Sequence, residues 1–248
     1  MPVLKNTDLL DPYVRQLIRP YFEKFLTLHD NALVSVFIYG SCASSEFKKG
    51  SSDINSAAVF KQVSPVELKK SLGAVNAGIR RGINTPLFLT HDYIMSSLDT
   101  FPIEFLEMKE HNVLIYGEDV LSGISIDLKH LRFICEEQIK GRLIRLRQGY
   151  LEIGQRRKGI EALIKDCFTG LLPVFKALLR IKGVPALKTK EDNINALGTA
   201  FGIETGIFFA ILADKRNDGR ISGYELEESL FRFIEQLEKL SVIVDNIL

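Results

Sequence analysis

The chain has 248 residues, 46% of them hydrophobic, which is enough to bury one large core or two smaller ones. Its 32 basic and 31 acidic residues leave a formal net charge of +1, so we expect neither nucleic acid nor a membrane as a partner. The first residues carry no signal-peptide pattern, and no apolar run approaches the length of a membrane span. These observations predict a cytoplasmic protein.

The three cysteines are odd in number and far apart in the sequence, which argues against a disulfide framework or a zinc site. Cys42 follows a short polar turn, and there a small buried side chain is favoured over a reactive thiol. The four histidines show no metal-binding spacing, so none of them is assigned a role.

The first predicted elements are one helix and two strands. Apolar residues recur at helical spacing from Pro12 to Leu28, which predicts an amphipathic helix. Leu33–Tyr39 and Asn55–Phe60 are apolar runs of strand length. We therefore expect two strands connected by the polar segment between them.

That polar segment contains residues suited to binding a nucleotide. Gly40 and Ser41 follow the first strand, and because glycine has no β-carbon, backbone N–H groups and the serine hydroxyl can approach a phosphate. Ser52 and Asp53 precede the second strand, which begins at Asn55. Asp53 and Asn55 are two residues apart, so both side chains should project from one face of the strand. The segment therefore predicts a site for a Mg²⁺–nucleotide complex.

The next helix has a complete start signal. Ser64 is suited to the N-cap, Pro65 to the first helical position and Glu67 to the third, and we expect the helix to end near Arg81. The elements expected after it are a short strand at Leu87–Leu89, a helical connector at His91–Leu98 and a last strand at Phe101–Met108.

The second half of the chain shows helical spacing without strand signals. Five helical segments are expected: Leu131–Leu151, Ile160–Ile181, Glu191–Leu197, Phe208–Leu212 and Tyr224–Leu248. The predicted fold is therefore α+β. A mixed sheet flanked by helices occupies residues 1–122, and an all-α bundle occupies residues 123–248.

The segment Tyr39–Asn55 resembles the signature of the polymerase β-like nucleotidyltransferase superfamily, which is Gly-Ser, a spacer and then Ser-Asp-x-Asp. Within that superfamily it is most similar to bacterial proteins of the aminoglycoside or kanamycin nucleotidyltransferase type, and Val113–Asp119 resembles a Leu-Tyr-Gly-Glu turn of such domains. The resemblance implies transfer of a nucleoside monophosphate from a triphosphate, with ATP expected, to a hydroxyl of a small-molecule acceptor. It also implies Mg²⁺ as the cofactor.

The resemblance assigns roles to individual residues. Gly40, Ser41 and Ser52 would contact the phosphates, Asp53 would be the principal metal ligand, and Asn55 would be a weak ligand of the metal or of water. The family has a third carboxylate on a later strand, and Phe101–Met108 is the matching stretch here. Glu104 is accordingly expected to bind metal and to accept the proton of the attacking hydroxyl.

Glu107 is the alternative to Glu104, because an odd spacing places it on the opposite face of the same predicted strand. The lysines at 48 and 49 lie in the loop over the expected phosphates, where contact with them and simple solvation are both open.

Two further patterns have competing interpretations. Asp214–Glu225 nearly matches a calcium-binding EF-hand loop, but Arg216 stands where an oxygen ligand belongs, which favours a plain polar loop. Lys140–Arg147 is basic and is read as the solvated face of a helix, while Arg142 or Arg145 could instead reach the triphosphate.

Asn55 departs from the family pattern, because the second acidic residue of Asp-x-Asp is replaced by a neutral amide. This leaves two hypotheses. The first is a Mg²⁺-dependent nucleotidyltransferase, and the second is a catalytically impaired relative that binds a nucleotide or a partner protein as a regulator. Whether the protein forms a homodimer is left open.

Overall fold

The structure is a computed structural model that describes residues 3–44, 47–50, 52–185, 187, 189–216 and 225–247. The chain divides into two compact units, Met1–Ile126 and Asp127–Leu248, and each is described by itself. None of the described helices combines the length and the apolar content that crossing a bilayer requires.

The first unit contains helices on both faces of a sheet. Its elements are α1 (Pro12–His29), β1 (Leu33–Tyr39), β2 (Asn55–Phe60), α2 (Pro65–Ile79), β3 (Leu87–Thr90), α3 (His91–Ser96), α4 (Pro102–Glu110) and β4 (Asn112–Gly117). The strand order is β3-β2-β1-β4, with β1 antiparallel to both β2 and β4 and with β2 parallel to β3. The sheet is therefore mixed, as predicted.

Alternating side chains of the strands enter two separate cores. Val36 and Ile38 of β1 pack with α1 on one face, in a core that includes Phe22 and Phe25. Phe37 packs on the other face, in a core that includes Phe105 and Met108 of α4. The period of two along a strand thus divides the apolar run of β1 between two layers of helices.

The start of α2 has the predicted capping geometry. Ser64 is the N-cap, and its hydroxyl accepts a hydrogen bond from the backbone N–H of Glu67 at 3.3 Å. The structure confirms helix α2, the strands β1 and β2 on either side of the polar segment, the short strand β3 and the helical connector α3.

The prediction of a strand at Phe101–Met108 is wrong. This stretch forms helix α4, with Pro102 at its first position, and the last strand of the sheet is β4, which follows it. Proline favours the first turn of a helix, and the buried residues Pro102, Phe105 and Met108 recur every third position. The sequence of a short apolar run does not distinguish a helix from a strand, because either element can bury the apolar side chains of such a run.

The second unit is helical throughout its described residues. Its helices are α5 (Leu128–Ile153), α6 (Arg157–Ile181), α7 (Lys190–Phe201), α8 (Gly206–Lys215) and α9 (Leu226–Asp245). An aromatic cluster holds α6, α8 and α9 together, with ring centroids 5.3 to 6.4 Å apart among Phe168, Phe175, Phe208 and Phe233. The predicted α+β fold with a helical C-terminal part is confirmed.

Candidate functional site

The Gly-Ser turn lies at the end of the central strand β1. Gly40 has a φ of +75°, a conformation that residues with a β-carbon rarely adopt, and Gly40–Ala43 forms a short 3-10 turn. The N–H of Gly40 donates a hydrogen bond to the backbone oxygen of His111 at 3.1 Å. That N–H is therefore engaged within the fold, so a phosphate at this turn would be bound by Ser41 and the residues after it.

Asp53 lies just before β2, and its side chain is exposed. Cys42 connects the turn to it, because the Cys42 thiol donates a hydrogen bond to the backbone oxygen of Asp53 at 3.3 Å. Burial raises the pKa of Cys42 to about 11, so the thiol stays neutral at physiological pH. Cys42 is thus the buried structural residue that was predicted, and it also holds the two halves of the site together.

Asn55 is held by a residue that the sequence analysis did not single out. The Nδ2 group of Asn84 donates a hydrogen bond to Oδ1 of Asn55 at 2.8 Å. The backbone N–H of Asn84 donates to the oxygen of Ile54 at 3.0 Å, and Ile83 forms a parallel bridge with Ile54. The loop after α2 is therefore attached to the start of β2, and no sequence motif marks this attachment.

Tyr39 lies between two asparagines in the sheet. It pairs with Asn55 of β2 on one side and with Asn112 of β4 on the other. The Nδ2 group of Asn112 donates to the backbone oxygen of Met108 at 2.8 Å, so this side chain caps α4. Neither neighbour of Tyr39 offers a carboxylate.

The remaining polar residues of the segment have contacts of their own. The hydroxyl of Ser52 accepts a hydrogen bond from the backbone N–H of Lys48 at 2.9 Å, and the N–H of Ser52 donates to the oxygen of Lys48 at 2.8 Å. The amine of Lys49 lies 4.3 Å from the ring centroid of Tyr13, a cation–π contact. Ser52 therefore closes the loop, and Lys49 is directed towards α1.

Glu104 lies on α4 rather than on a strand, and its side chain is exposed in the first turn of that helix. Glu107 is one helical turn further along, so the prediction that the two carboxylates project from opposite faces of a strand is also wrong. The strand that does follow, β4, reads Asn-Val-Leu-Ile-Tyr-Gly and contains no acidic residue.

Among the described residues of β4, the Gly-Ser turn and β2 with the preceding Asp53, the oxygen donors fit one divalent cation and do not fit two. Asp53 offers an exposed carboxylate, and Mg²⁺ in nucleotide sites is typically held by one or two carboxylates together with substrate phosphates. Position 55 is an amide whose oxygen is already engaged by Asn84, and β4 adds no carboxylate. Within the described parts of the chain, no three His, Cys, Asp or Glu side chains come together as a metal site.

The two alternative patterns lie in the second unit. Arg145 forms an ion pair with Asp166 at 2.8 Å, and the guanidinium of Arg142 lies against Gly170. Contact of either arginine with a triphosphate stays a prediction. In the calcium-like segment, Asp214 is buried on α8 and pairs with Lys165 at 2.9 Å. Residues 217–224 of that segment lie outside the described residues.

No protein-family model and no curated protein sequence matches the chain. Among solved structures, the chain is similar to the crystal structure of spectinomycin adenyltransferase AAD(9) from Enterococcus faecialis with ATP and spectinomycin. The match covers 90% of this chain and 98% of that chain, with 12% sequence identity and a TM-score of 0.45. A likeness of this size leaves the activity of this chain to be argued from its own residues.

Proposed function

We propose that the protein binds a nucleoside triphosphate, with ATP expected, at the turn formed by Gly40 and Ser41. The observation that carries this proposal is the positive φ of Gly40 at the end of the central strand, directly beside Asn55 and tied to Asp53 through Cys42. A glycine in this conformation keeps the approach to the turn free of a side chain. The hydroxyl of Ser41 and the exposed carboxylate of Asp53 would then act on the same triphosphate, the carboxylate through Mg²⁺.

We further propose that the bound nucleotide is a substrate for nucleotidyl transfer, as the motif resemblance implies. The oxygen of a hydroxyl on a small-molecule acceptor would attack the α-phosphorus, pyrophosphate would leave, and the hydroxyl proton would pass to a base. Asp53 would hold Mg²⁺, which supplies neutralisation of the triphosphate charge. Glu104 stays a prediction as the base, now from the first turn of α4.

The proposal is tested by titrating the protein with ATP and Mg²⁺ in a calorimeter. Wild-type protein should bind, and Asp53→Asn should weaken binding in Mg²⁺ at least tenfold, because the variant lacks the carboxylate that would hold the cation. Asp92→Asn is the matched control, since Asp92 is fully exposed on α3 and its loss should leave affinity unchanged. Equal affinities of wild type and Asp53→Asn would contradict the site.

The second candidate function is nucleotide binding without transfer, in a regulatory protein. It is favoured by the amide at position 55 and by the absence of any carboxylate in β4. Pyrophosphate release, measured with ATP over a panel of amino-alcohol and sugar acceptors, separates the two candidates. Binding with pyrophosphate release supports the transferase, and binding without release for any acceptor supports the regulator.

A further inference from the structure

We propose that Asn55 binds the nucleotide's phosphates through its amide N–H groups, and that Asn84 is the positioning residue that fixes this orientation. The inference rests on the proposed nucleotide site. It changes the role of position 55, where the family pattern has a metal-binding carboxylate and the sequence suggested a weak metal ligand.

The side-chain oxygen of Asn55 already accepts a hydrogen bond within the protein. The donor is Asn84, and Asn84 is itself held by its backbone bond to Ile54. An amide has one oxygen and one NH₂ group, so fixing the oxygen towards Asn84 also fixes the direction of the NH₂ group.

The donor side faces the turn. A β-carbon placed on Gly40 would lie 3.7 Å from Nδ2 of Asn55, so the NH₂ group borders the space that the glycine leaves open. Asn55 is half-buried, and among the described residues none accepts a hydrogen bond from its Nδ2. A donor placed here without an acceptor among the described residues matches an anionic oxygen of a ligand.

The charge at position 55 decides whether the nucleotide's phosphates can bind there without a divalent cation. An aspartate would repel phosphate oxygens unless a cation lay between them, whereas an amide donates directly to a phosphate oxygen. A hydrogen bond from a neutral donor to a charged oxygen corresponds to about a tenfold change in affinity. This chain should therefore retain part of its nucleotide affinity when no divalent cation is present.

The experiment is a calorimetric titration with ATP in two buffers, one with Mg²⁺ and one with EDTA. Wild-type protein should bind in both. Asn55→Asp should lose at least tenfold in EDTA and much less in Mg²⁺, so that its binding becomes strongly Mg²⁺-dependent. Asn76→Asp makes the same chemical change at an exposed position of α2 and should leave both affinities unchanged.

Variants of Asn84 test the positioning role. In Asn84→Asp the new carboxylate only accepts, so Asn55 must turn its NH₂ group towards it, and affinity in EDTA should fall about tenfold. Asn84→Ala introduces no charge, frees the Asn55 amide to rotate and should cause a smaller loss in EDTA. Melting temperatures of both variants, measured in parallel, confirm that the loss is not unfolding.

The outcomes separate this inference from the function on which it rests. If wild-type protein binds ATP in neither buffer, both the nucleotide site and the inference fail. If wild type binds but Asn55→Asp keeps its affinity in EDTA, only the donor role of Asn55 is overturned. If Asn55→Asp behaves as expected but both Asn84 variants match wild type, the positioning role of Asn84 is wrong.

Discussion

At the scale of single residues, a substitution at Gly40 tests both the backbone conformation of the turn and the proposed phosphate site. Gly40→Val should destabilise the fold by about 1–2 kcal/mol, because a residue with a β-carbon is strained at positive φ. It should also abolish ATP binding, because the branched side chain would fill the approach to the turn. Thermal unfolding and titration with ATP measure the two effects separately.

Gly183→Val is the matched control, since Gly183 has a φ of +74° and, chain neighbours aside, no atom of the described residues lies within 4 Å of its β-carbon position. It should show a similar loss of stability with unchanged ATP binding. Ser41→Ala should weaken binding by about 1–3 kcal/mol without backbone strain. If Gly40→Val bound ATP as well as Gly183→Val does, the turn would not be a phosphate site.

Ser35 provides a second prediction at this scale. Its side chain is fully buried in β1, and its hydroxyl has no hydrogen-bond partner among the residues that the structure describes. Ser35→Ala should therefore leave the free energy of unfolding unchanged or raise it by about 1 kcal/mol, because a buried hydroxyl without a partner is destabilising. Ser71→Ala is the contrast, since the buried Ser71 hydroxyl bonds to His29 and to the Glu67 backbone oxygen, and its removal should be destabilising. Urea unfolding of both variants measures the difference, and a destabilised Ser35→Ala would contradict the prediction.

At the scale of secondary-structure elements, the end of β4 is held against β1 by a close backbone approach. A β-carbon on Gly117 would lie 1.8 Å from the backbone oxygen of Val34, and Gly117 has a φ of +75°. Gly117→Ala should destabilise the first unit by more than about 2 kcal/mol, because strain and overlap combine. Gly123→Ala should stay within about 0.5 kcal/mol of wild type in the same unfolding assay, because no described atom beyond its chain neighbours lies within 4 Å of the β-carbon position.

The contact between α1 and α2 includes a buried polar network. Nδ1 of His29 lies 2.5 Å from Oε2 of Glu67, and Nζ of Lys70 lies 2.9 Å from Oε1 of the same carboxylate. Hydrogen bonds from Lys70 and then from His29 hold the pKa of Glu67 below its ordinary value of 4.5. Because the folded pKa is lowered, the stabilisation is present above pH 4.5 and is lost as the pH falls through the folded value.

Glu67→Gln should therefore cost about 2 kcal/mol at pH 7, and the difference from wild type should shrink as the pH falls below 4.5. Urea unfolding at a series of pH values measures this. Glu23→Gln is the control, because Glu23 is exposed and lies 3.7 Å from Arg19, so its effect should stay below about 0.5 kcal/mol at every pH. A cost for Glu67→Gln that is independent of pH would show that the carboxylate charge contributes nothing.

At the scale of the whole molecule, each unit has buried apolar residues of its own. The first has the two cores on either face of its sheet, and the second has the aromatic cluster on α6, α8 and α9. The fragment 127–248 should therefore fold alone, since about 120 residues can enclose a core. Its circular dichroism should be helical with a cooperative thermal transition, and a non-cooperative, largely unfolded fragment would contradict this.

The sequence by itself determined the elements that have strong local signals. The apolar runs at Leu33–Tyr39 and Asn55–Phe60, the capped start of α2 and the long amphipathic helices of the second unit were all predictable. Their periods and caps are local properties, so neighbours in sequence are sufficient to reveal them. The Gly-Ser and Asp-x-Asn pattern could be recognised for the same reason.

The tertiary structure alone decided two features. The stretch that begins at Pro102 forms helix α4, and its buried side chains face a core that includes Phe37 of β1 and the loop residues Leu121 and Ile124. No short segment of the sequence contains all of these residues. The orientation of Asn55 depends on Asn84, 29 positions further along the chain, which reaches it only after α2 has folded back. Contacts between residues distant in sequence arise from packing, and packing therefore decides how the amide at position 55 is oriented.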